Sequence, residues 1–186
     1  LEKAADQKEE SAVTKLNEIM IPAKVNPFTV VRHYNAFPIS ESGKVTIQIN
    51  KIKWFNNPPK YDIRVWYKVS QPGHGFTLSF DELEQLNNIL SGELINDLKD
   101  SQEIVVAPRR WKKATIKEHY GHIENGTDKN IEVGLVAMPA EIKYDIRRWK
   151  PQYEDYEAGV RFYKEEWEKF IPLLNAAYKA AAKEAG

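Results

Sequence analysis

The sequence has no cysteine, no long apolar run and no excess of charge of either sign. Without a thiol, the 186-residue chain can form no disulfide framework, no zinc-thiolate site and no cysteine nucleophile. No apolar run approaches the ~20 residues that cross a bilayer, and the first residues lack a signal-peptide pattern. We therefore expect a soluble protein, and the lack of cysteine is compatible with a reducing compartment.

Twenty-seven Lys and Arg residues balance twenty-seven Asp and Glu residues, so the formal net charge is zero. This balance counts against a general polyanion-binding tail. The charges are nevertheless sorted along the chain, because basic residues concentrate in the predicted strands and acidic residues in the helices that follow them. A protein with a basic sheet face and acidic helices can therefore also have a net charge of zero.

One seven-residue segment occurs twice. Residues 60–66 read KYDIRVW and residues 143–149 read KYDIRRW, which differ at a single position. Successive side chains of a strand point to opposite faces, so Tyr61, Ile63 and Val65 are predicted to face the core. The alternate positions carry Asp, Arg and Trp in both copies. This places a cation beside an aromatic ring on a face that we expect water to reach, a combination that holds a phosphate backbone while a base stacks.

The same residues also fit an ordinary half-buried strand. Asp62 and Arg64, two apart on one face, would then neutralise each other, and Trp66 would cover a sheet edge. Repetition of the whole face favours the functional interpretation, but a purely structural repeat has the same signature.

Each half is predicted to contain four strands followed by one helix. The strands are expected at residues 28–39, 45–54, 60–66 and 76–78, and again at 114–124, 131–138, 141–150 and 159–163. The helices are expected to begin at a capping box of Ser79 and Glu82 and near residue 164. A break in the alternation at residues 50–51 predicts a bulge, and Pro172 predicts a kink or a new helix start.

The predicted fold class is α+β, with two tandem β-β-β-β-α units. Residues 1–25 are expected to form an N-terminal helical or frayed arm, residues 26–100 the first unit and residues 101–186 the second. The arm is a candidate contact for a protein partner.

An enzymatic function is the least expected. The sequence has no Gly-rich phosphate loop and no nucleophile elbow. His33 and His119 occupy matching positions, each followed by Tyr, but no other His or carboxylate recurs beside them at metal-ligand spacing. We therefore predict no catalytic residue, no metal site and no cofactor.

The order of elements and residues 59–66, PKYDIRVW, resemble the positive-cofactor-four family of transcriptional coactivators, in its bacterial and phage branch. Residues 75–79, GFTLS, resemble the glycine and fourth strand of that family. The resemblance covers residues 28–95 and, more weakly, residues 112–178. The two-lobed layout also resembles, more distantly, Whirly and Pur-type single-strand binders.

Members of this family bind single-stranded DNA or melted duplex as dimers, with their helices packed together and two curved sheets presenting basic and aromatic residues. The resemblance implies that Arg64 and Arg147 contact phosphate and that Trp66 and Trp149 lie near bases. A tandem chain would form within one molecule the pairing that family members form between two. We therefore expect curved antiparallel sheets with the helices packed together as an intramolecular pseudo-dimer, with homodimerisation as an alternative.

The resemblance also implies an aromatic residue at the turn before the motif strand, and Trp54 or Phe55 stands there in the first half only. The predicted nucleic-acid-binding residues are Lys51, Lys53, Trp54, Phe55, Lys60, Arg64, Trp66, Lys68, Lys143, Arg147 and Trp149.

The expected function is non-catalytic, sequence-tolerant binding of single-stranded DNA in transcription or in DNA replication and recombination. RNA is an alternative ligand, because stacking works on either backbone. A protein-interaction scaffold built on a degenerate repeat is the other alternative. The expected location is the cytoplasm of a bacterial or phage-infected cell, or the nucleus or an organelle of a eukaryote.

Overall fold

The structure, a computed structural model, describes residues 27–68, 70–92, 113–139 and 141–186, and residues 104–106 as backbone. Two antiparallel sheets and two helices make up this part of the chain, which confirms the predicted α+β class. The predicted N-terminal arm, residues 1–25, lies outside the described residues. None of the described helices is long and apolar enough to cross a lipid bilayer.

The first sheet has four strands, which neighbour one another in sequence order. They are β1 (Phe28–Pro38), β2 (Val45–Trp54), β3 (Lys60–Tyr67) and β4 (Gln71–Leu78), and helix α1 (Phe80–Ser91) follows them. The helix begins at the predicted capping box, since the Ser79 hydroxyl accepts the Glu82 N–H at 3.1 Å and the Glu82 carboxylate accepts the Ser79 N–H at 3.0 Å.

The second sheet has five strands, also in sequence order. They are β5 (Ile104–Val106), β6 (Ala114–Ile123), β7 (Asn130–Met138), β8 (Glu141–Trp149) and β9 (Tyr156–Phe162), and helix α2 (Lys164–Ala185) follows them. Strand β5, which the sequence pattern did not predict, pairs antiparallel with the start of β6. Helix α2 continues through Pro172, so the predicted alternative of a new helix start is wrong.

The registers of the two sheets correspond. His33 on β1 lies opposite Asn50, and His119 on β6 lies opposite Gly134. In both strands one register shift comes just before the histidine and a second just after it. The predicted bulge at residues 50–51 of β2 is therefore wrong: β2 runs in continuous register with β3, and the extra residues lie in β1.

The last two strands of each sheet correspond in the same way. Arg64 lies opposite Gly75, and Arg147 lies opposite Gly159. A Cβ atom on Gly75 would come within 2.1 Å of the Arg64 Cβ, and one on Gly159 within 2.4 Å of the Arg147 Cβ. Only glycine fits such close strand contacts.

One hydrophobic core joins the two halves. It includes the inward-facing Ile63 and Ile146, one from each motif strand, together with the apolar stripes of both helices. The helices contact each other, because the Phe80 and Tyr178 rings stack with their centroids 5.9 Å apart and the Tyr178 hydroxyl donates to Glu84 at 2.6 Å. The opposite faces of the two sheets, here called the outer faces, point away from this core.

Candidate nucleic-acid interface

On the outer face of β3, Asp62 and Arg64 form a closed ion pair. Arg64 donates from Nε and Nη2 to the two Asp62 carboxylate oxygens at 2.6 and 2.7 Å, and from Nη1 to the Gly73 carbonyl at 2.9 Å. Asp62 is fully buried and also accepts the Trp54 indole N–H at 3.2 Å. The pairing matches the alternative interpretation of the motif, in which the two charges neutralise each other.

The second motif strand repeats this arrangement. Arg147 donates from Nε and Nη2 to Asp145, at 2.8 Å for each closest contact, and from Nη1 to the Glu157 carbonyl at 2.9 Å. The Arg147 guanidinium also lies 5.0 Å from the centre of the Tyr156 ring. Arg147 is 6% exposed, so less of its charge faces solvent than the sequence pattern predicted.

The expectation that the two motif indoles face water is wrong. Trp66 and Trp149 are each 2% exposed. The Phe28 ring at the start of β1 covers Trp66, with centroids 5.6 Å apart, while Tyr153 and Tyr156 cover Trp149 at 5.3 and 4.9 Å. Covered on their outer side by aromatic rings, these indoles offer no open surface on which a base can stack.

Different segments of the chain produce this cover in the two sheets. In the second sheet, the connection from β8 to β9 contains a short 3₁₀ turn, Pro151–Tyr153. Its residues Gln152 and Tyr153 have positive φ angles of 58° and 55°, which turn the chain back so that Tyr153 packs edge-on against Trp149. In the first sheet the described cover is Phe28, which comes from β1.

A polar row lies along β2 on the outer face of the first sheet. The Gln48 amide donates to Thr46 at 3.3 Å, the Asn50 amide donates to Gln48 at 3.2 Å, and His33 Nδ1 lies 2.6 Å from the Asn50 carbonyl oxygen. Thr46 and Gln48 are half-buried, whereas Asn50 is buried. The row therefore presents uncharged donors and acceptors that are fixed by one another.

An open groove of about 480 Å³ runs beside this row. Among the described residues, its lining is Gly43, Lys44, Thr46, Gln48 and Lys68. Both lysines are exposed, and the groove contains no described carboxylate. Of the predicted residues, Lys68 belongs to this groove, which we call the β2 groove.

A second exposed group lies at the turn between β2 and β3. Phe55 is 70% exposed and has a φ of 51°. Lys53 and Lys60 beside it are also exposed, while Trp54 is half-buried with the Arg64 guanidinium 4.6 Å from its ring centre. The predicted turn aromatic is thus accessible at Phe55.

Two predicted lysines lie apart from these surfaces. Lys51 is on the core side of β2, opposite Tyr61, with its ammonium 5.4 Å from the Tyr61 ring centre. Lys143 is half-buried and lies 4.0 Å from the centre of the Tyr163 ring and 3.4 Å from Glu141. The structure therefore divides the eleven predicted residues among several surfaces instead of one continuous face.

Sequence reasoning did not select Lys44, Thr46, Gln48, Asn50 or Arg161. The polar alternation of β2 was a usable signal for three of these residues, because Thr46, Gln48 and Asn50 fall at every second position. Within the part of the chain that the structure describes, no group of three or more His, Asp or Glu side chains has a geometry that could hold a metal ion.

Comparison with protein-family models, with curated proteins and with solved structures gives no significant match to this chain.

Proposed function

We propose that the chain is a non-catalytic protein that binds single-stranded DNA with little dependence on base sequence, in transcription or in DNA replication and recombination. The observation that carries this proposal is the β2 groove, an open path on the sheet that combines exposed Lys44 and Lys68 with the polar row of β2. Lysines at such a groove attract backbone phosphates, and fixed amides and hydroxyls hydrogen-bond to bases.

The turn between β2 and β3 supplies a stacking residue. Phe55 lies at the opposite end of β2 from Lys44, and ten strand residues at about 3.3 Å each separate the two ends by roughly 30 Å. A single strand that follows β2 would reach both ends. Stacking of a base on the exposed Phe55 ring adds about 1 to 3 kcal/mol.

We further propose that residues 26–100 and 101–186 are two copies of one ββββα unit that pair as an intramolecular pseudo-dimer. The matching register shifts around His33 and His119 and the matching arginine-glycine contacts support this proposal. The contact between the stacked Phe80 and Tyr178 rings, one from each helix, also supports it.

The sealed layer of Trp66, Trp149 and their arginine-carboxylate pairs favours a second candidate, a protein-interaction scaffold whose repeated motif is structural. The two candidates differ in what they require of the β2 groove. A scaffold would function without the lysines of this groove, whereas a nucleic-acid interface would need them.

The test is a fluorescence-polarisation titration with labelled oligo-dT and with duplex of the same length. We expect tighter binding to the single strand. The double variant Lys44→Gln/Lys68→Gln should weaken binding and lower the slope of log affinity against log salt by about 1.4, because each lost phosphate contact contributes ~0.7 on single strands. Phe55→Ala should weaken binding without changing that slope.

Lys179→Gln/Lys183→Gln is the matched control, since both lysines are exposed on α2. It removes the same charge and should bind oligo-dT nearly as wild type does. Undetectable binding, equal affinity for duplex, or equal effects of the two double variants would reject the proposal. Competition with an RNA oligomer of the same sequence separates a DNA-binding from an RNA-binding function.

A further inference from the structure

A second cleft, of about 400 Å³, lies between the two sheets, where β8 and β9 face the end of the first sheet. Ile39, Val45 and Val65 contribute an apolar wall from the first half. Lys143, Arg147 and Arg161 contribute a basic wall from the second half. We call this space the inter-sheet cleft. Its size falls within the range of small-molecule sites.

Two guanidinium groups at this cleft share one buried carboxylate. Arg147 Nη2 lies 2.8 Å from Asp145 Oδ2, and Arg161 Nε lies 3.7 Å from the same oxygen. The Asp145 side chain is 1% exposed. Lys143 pairs with the exposed Glu141, so one positive charge at the basic wall has no counter-charge among these groups.

The remaining contacts of Arg161 fix its position without neutralising it. Its Nη1 donates to the Met138 carbonyl at 3.2 Å, and its Nη2 donates to the carbonyls of Val136 and Glu141 at 2.8 and 3.0 Å. Backbone carbonyls satisfy hydrogen bonds but carry no net charge. Burial lowers the pKa of Arg161 and is the largest effect; the neighbouring Arg147 also lowers it, whereas the carboxylates of Asp145 and Glu141 raise it without restoring the ordinary value.

Among the described residues, the first sheet has no cation at the position that corresponds to Arg161. Asp145 lies opposite Arg161 in the β8–β9 register, and at the corresponding position of the β3–β4 register Asp62 lies opposite Thr77. The ion pair of the first sheet is therefore one arginine to one carboxylate. A partly buried charge that lacks a counter-ion is costly to a fold unless an anion offsets it.

We propose that the inter-sheet cleft binds a phosphate group, with Arg161 as its principal contact and Lys143 and His74 at its rim. The apolar wall leaves space for an organic group attached to the phosphate. Free phosphate, a terminal phosphate of a nucleotide and a backbone phosphate share this chemistry. The site does not depend on the β2 groove, because the described residues that line the two spaces are different.

The first measurement is calorimetric titration with inorganic phosphate and with thymidine 5′-monophosphate, in the absence of DNA. Arg161→Thr, which installs the residue of the first sheet, should weaken binding of both by roughly tenfold or more, because it removes a charge-assisted contact. Lys179→Thr, which removes one charge from the exposed face of α2, should leave binding unchanged. Equal binding by all three proteins, or none by wild type, would overturn the proposal.

Arg161→Lys and Lys143→Gln keep the proposal testable if Arg161→Thr does not fold. Arg161→Lys retains the charge but loses the planar fork, and Lys143→Gln removes a rim cation, so both should bind phosphate more weakly than Lys179→Thr does. Folding of each variant is checked by circular dichroism. Wild-type affinity in both would also overturn the proposal.

Oligo-dT with and without a 5′-phosphate then identifies the source of the phosphate. A preference for the phosphorylated oligomer that Arg161→Thr abolishes indicates a terminal phosphate. Equal affinity for both oligomers, reduced by Arg161→Thr, indicates a backbone phosphate. Phosphate binding without any binding of DNA supports an independent anion site and rejects only the proposed DNA-binding function.

Discussion

Arg148 on β8 forms a two-point contact with Glu82 in the first turn of α1. Nη1 lies 3.0 Å from Oε2 and Nη2 lies 3.2 Å from Oε1. The Arg148 and Glu82 side chains are 15% and 6% exposed, and Arg148 Nη2 also donates to the Thr77 carbonyl at 2.6 Å. The partners are 66 residues apart in sequence, so one nearly buried ion pair connects the two halves of the fold.

Replacing Arg148 by Met should therefore destabilise the whole fold. The change leaves the Glu82 carboxylate buried without its cation, and breaking such a pair costs about 3 kcal/mol or more. The free energy of unfolding in urea measures the loss. Arg32→Met is the control, because the Arg32 side chain is 54% exposed and that of its partner Glu184 is 38% exposed. We expect this variant to lose less than ~1 kcal/mol of unfolding free energy. Equal losses in the two variants would contradict a structural role for Arg148.

The same contact should make the fold sensitive to acid. Burial raises the pKa of Glu82, but the hydrogen bonds from Arg148 and Ser79 together outweigh it, so the pKa lies below its ordinary value of 4.5. A depressed carboxyl pKa contributes stability that is complete above the unfolded-state pKa and is lost as pH falls through the folded-state pKa.

The variant Glu82→Gln tests this loss of stability in acid. The measurement is the free energy of unfolding from neutral pH down to about pH 3. The advantage of wild type over the variant should be constant above pH 4.5 and should shrink below it. Glu154→Gln, an exposed carboxyl, provides the baseline. A wild-type advantage that does not change with pH would show that Glu82 is not responsible.

Because the indoles of Trp66 and Trp149 are buried, we expect their loss to lower stability, although the sequence led us to expect them near bound bases. Trp66→Ala and Trp149→Ala should each cost about 3 to 5 kcal/mol, because each leaves a large cavity beneath covering aromatic rings. Phe55→Ala should change stability by less than ~0.5 kcal/mol, since Phe55 is 70% exposed. Thermal unfolding of the three variants checks the order. A fully stable Trp66→Ala variant would mean that the indole is accessible after all.

The strand pattern explains why much of the fold was predictable and the outer faces were not. Alternation in the repeated segment correctly predicts that Ile63 and Ile146 lie in the core. The spacing of Ser79 and Glu82 correctly predicts where α1 begins. Both features depend on residues close together in sequence. Alternation gives the face of each residue but does not reveal which distant segment covers that face.

The cover of Trp66 and Trp149 illustrates this limit. Phe28 reaches Trp66 from another strand, and the turn that brings Tyr153 onto Trp149 uses positive φ angles without a glycine to signal them. Strand β5 is only three residues long, too short for a period of two to stand out. These features come from tertiary packing, which local sequence patterns do not encode.

The histidines of β6 provide a final prediction at near-neutral pH. Glu132 is 8% exposed, and each of its carboxylate oxygens lies 2.5 Å from an imidazole nitrogen, one of His119 and one of His122. His122 also lies 3.1 Å from Glu124. Burial lowers the pKa of His122, but its contacts with Glu132 and Glu124 outweigh burial and raise the pKa above 6.5.

A raised histidine pKa contributes stability that is complete below the unfolded-state pKa and is lost as pH rises through the folded-state pKa. Nuclear magnetic resonance titration of the His122 ring measures the folded-state pKa directly. It should give a pKa above 6.5 in wild type and a lower pKa in Glu132→Gln, which loses the contact with the carboxylate. Glu168→Gln should leave the titration unchanged, because it removes an exposed carboxyl of helix α2. An identical His122 titration in Glu132→Gln and wild type would show that the buried carboxylate does not stabilise the His122 imidazolium.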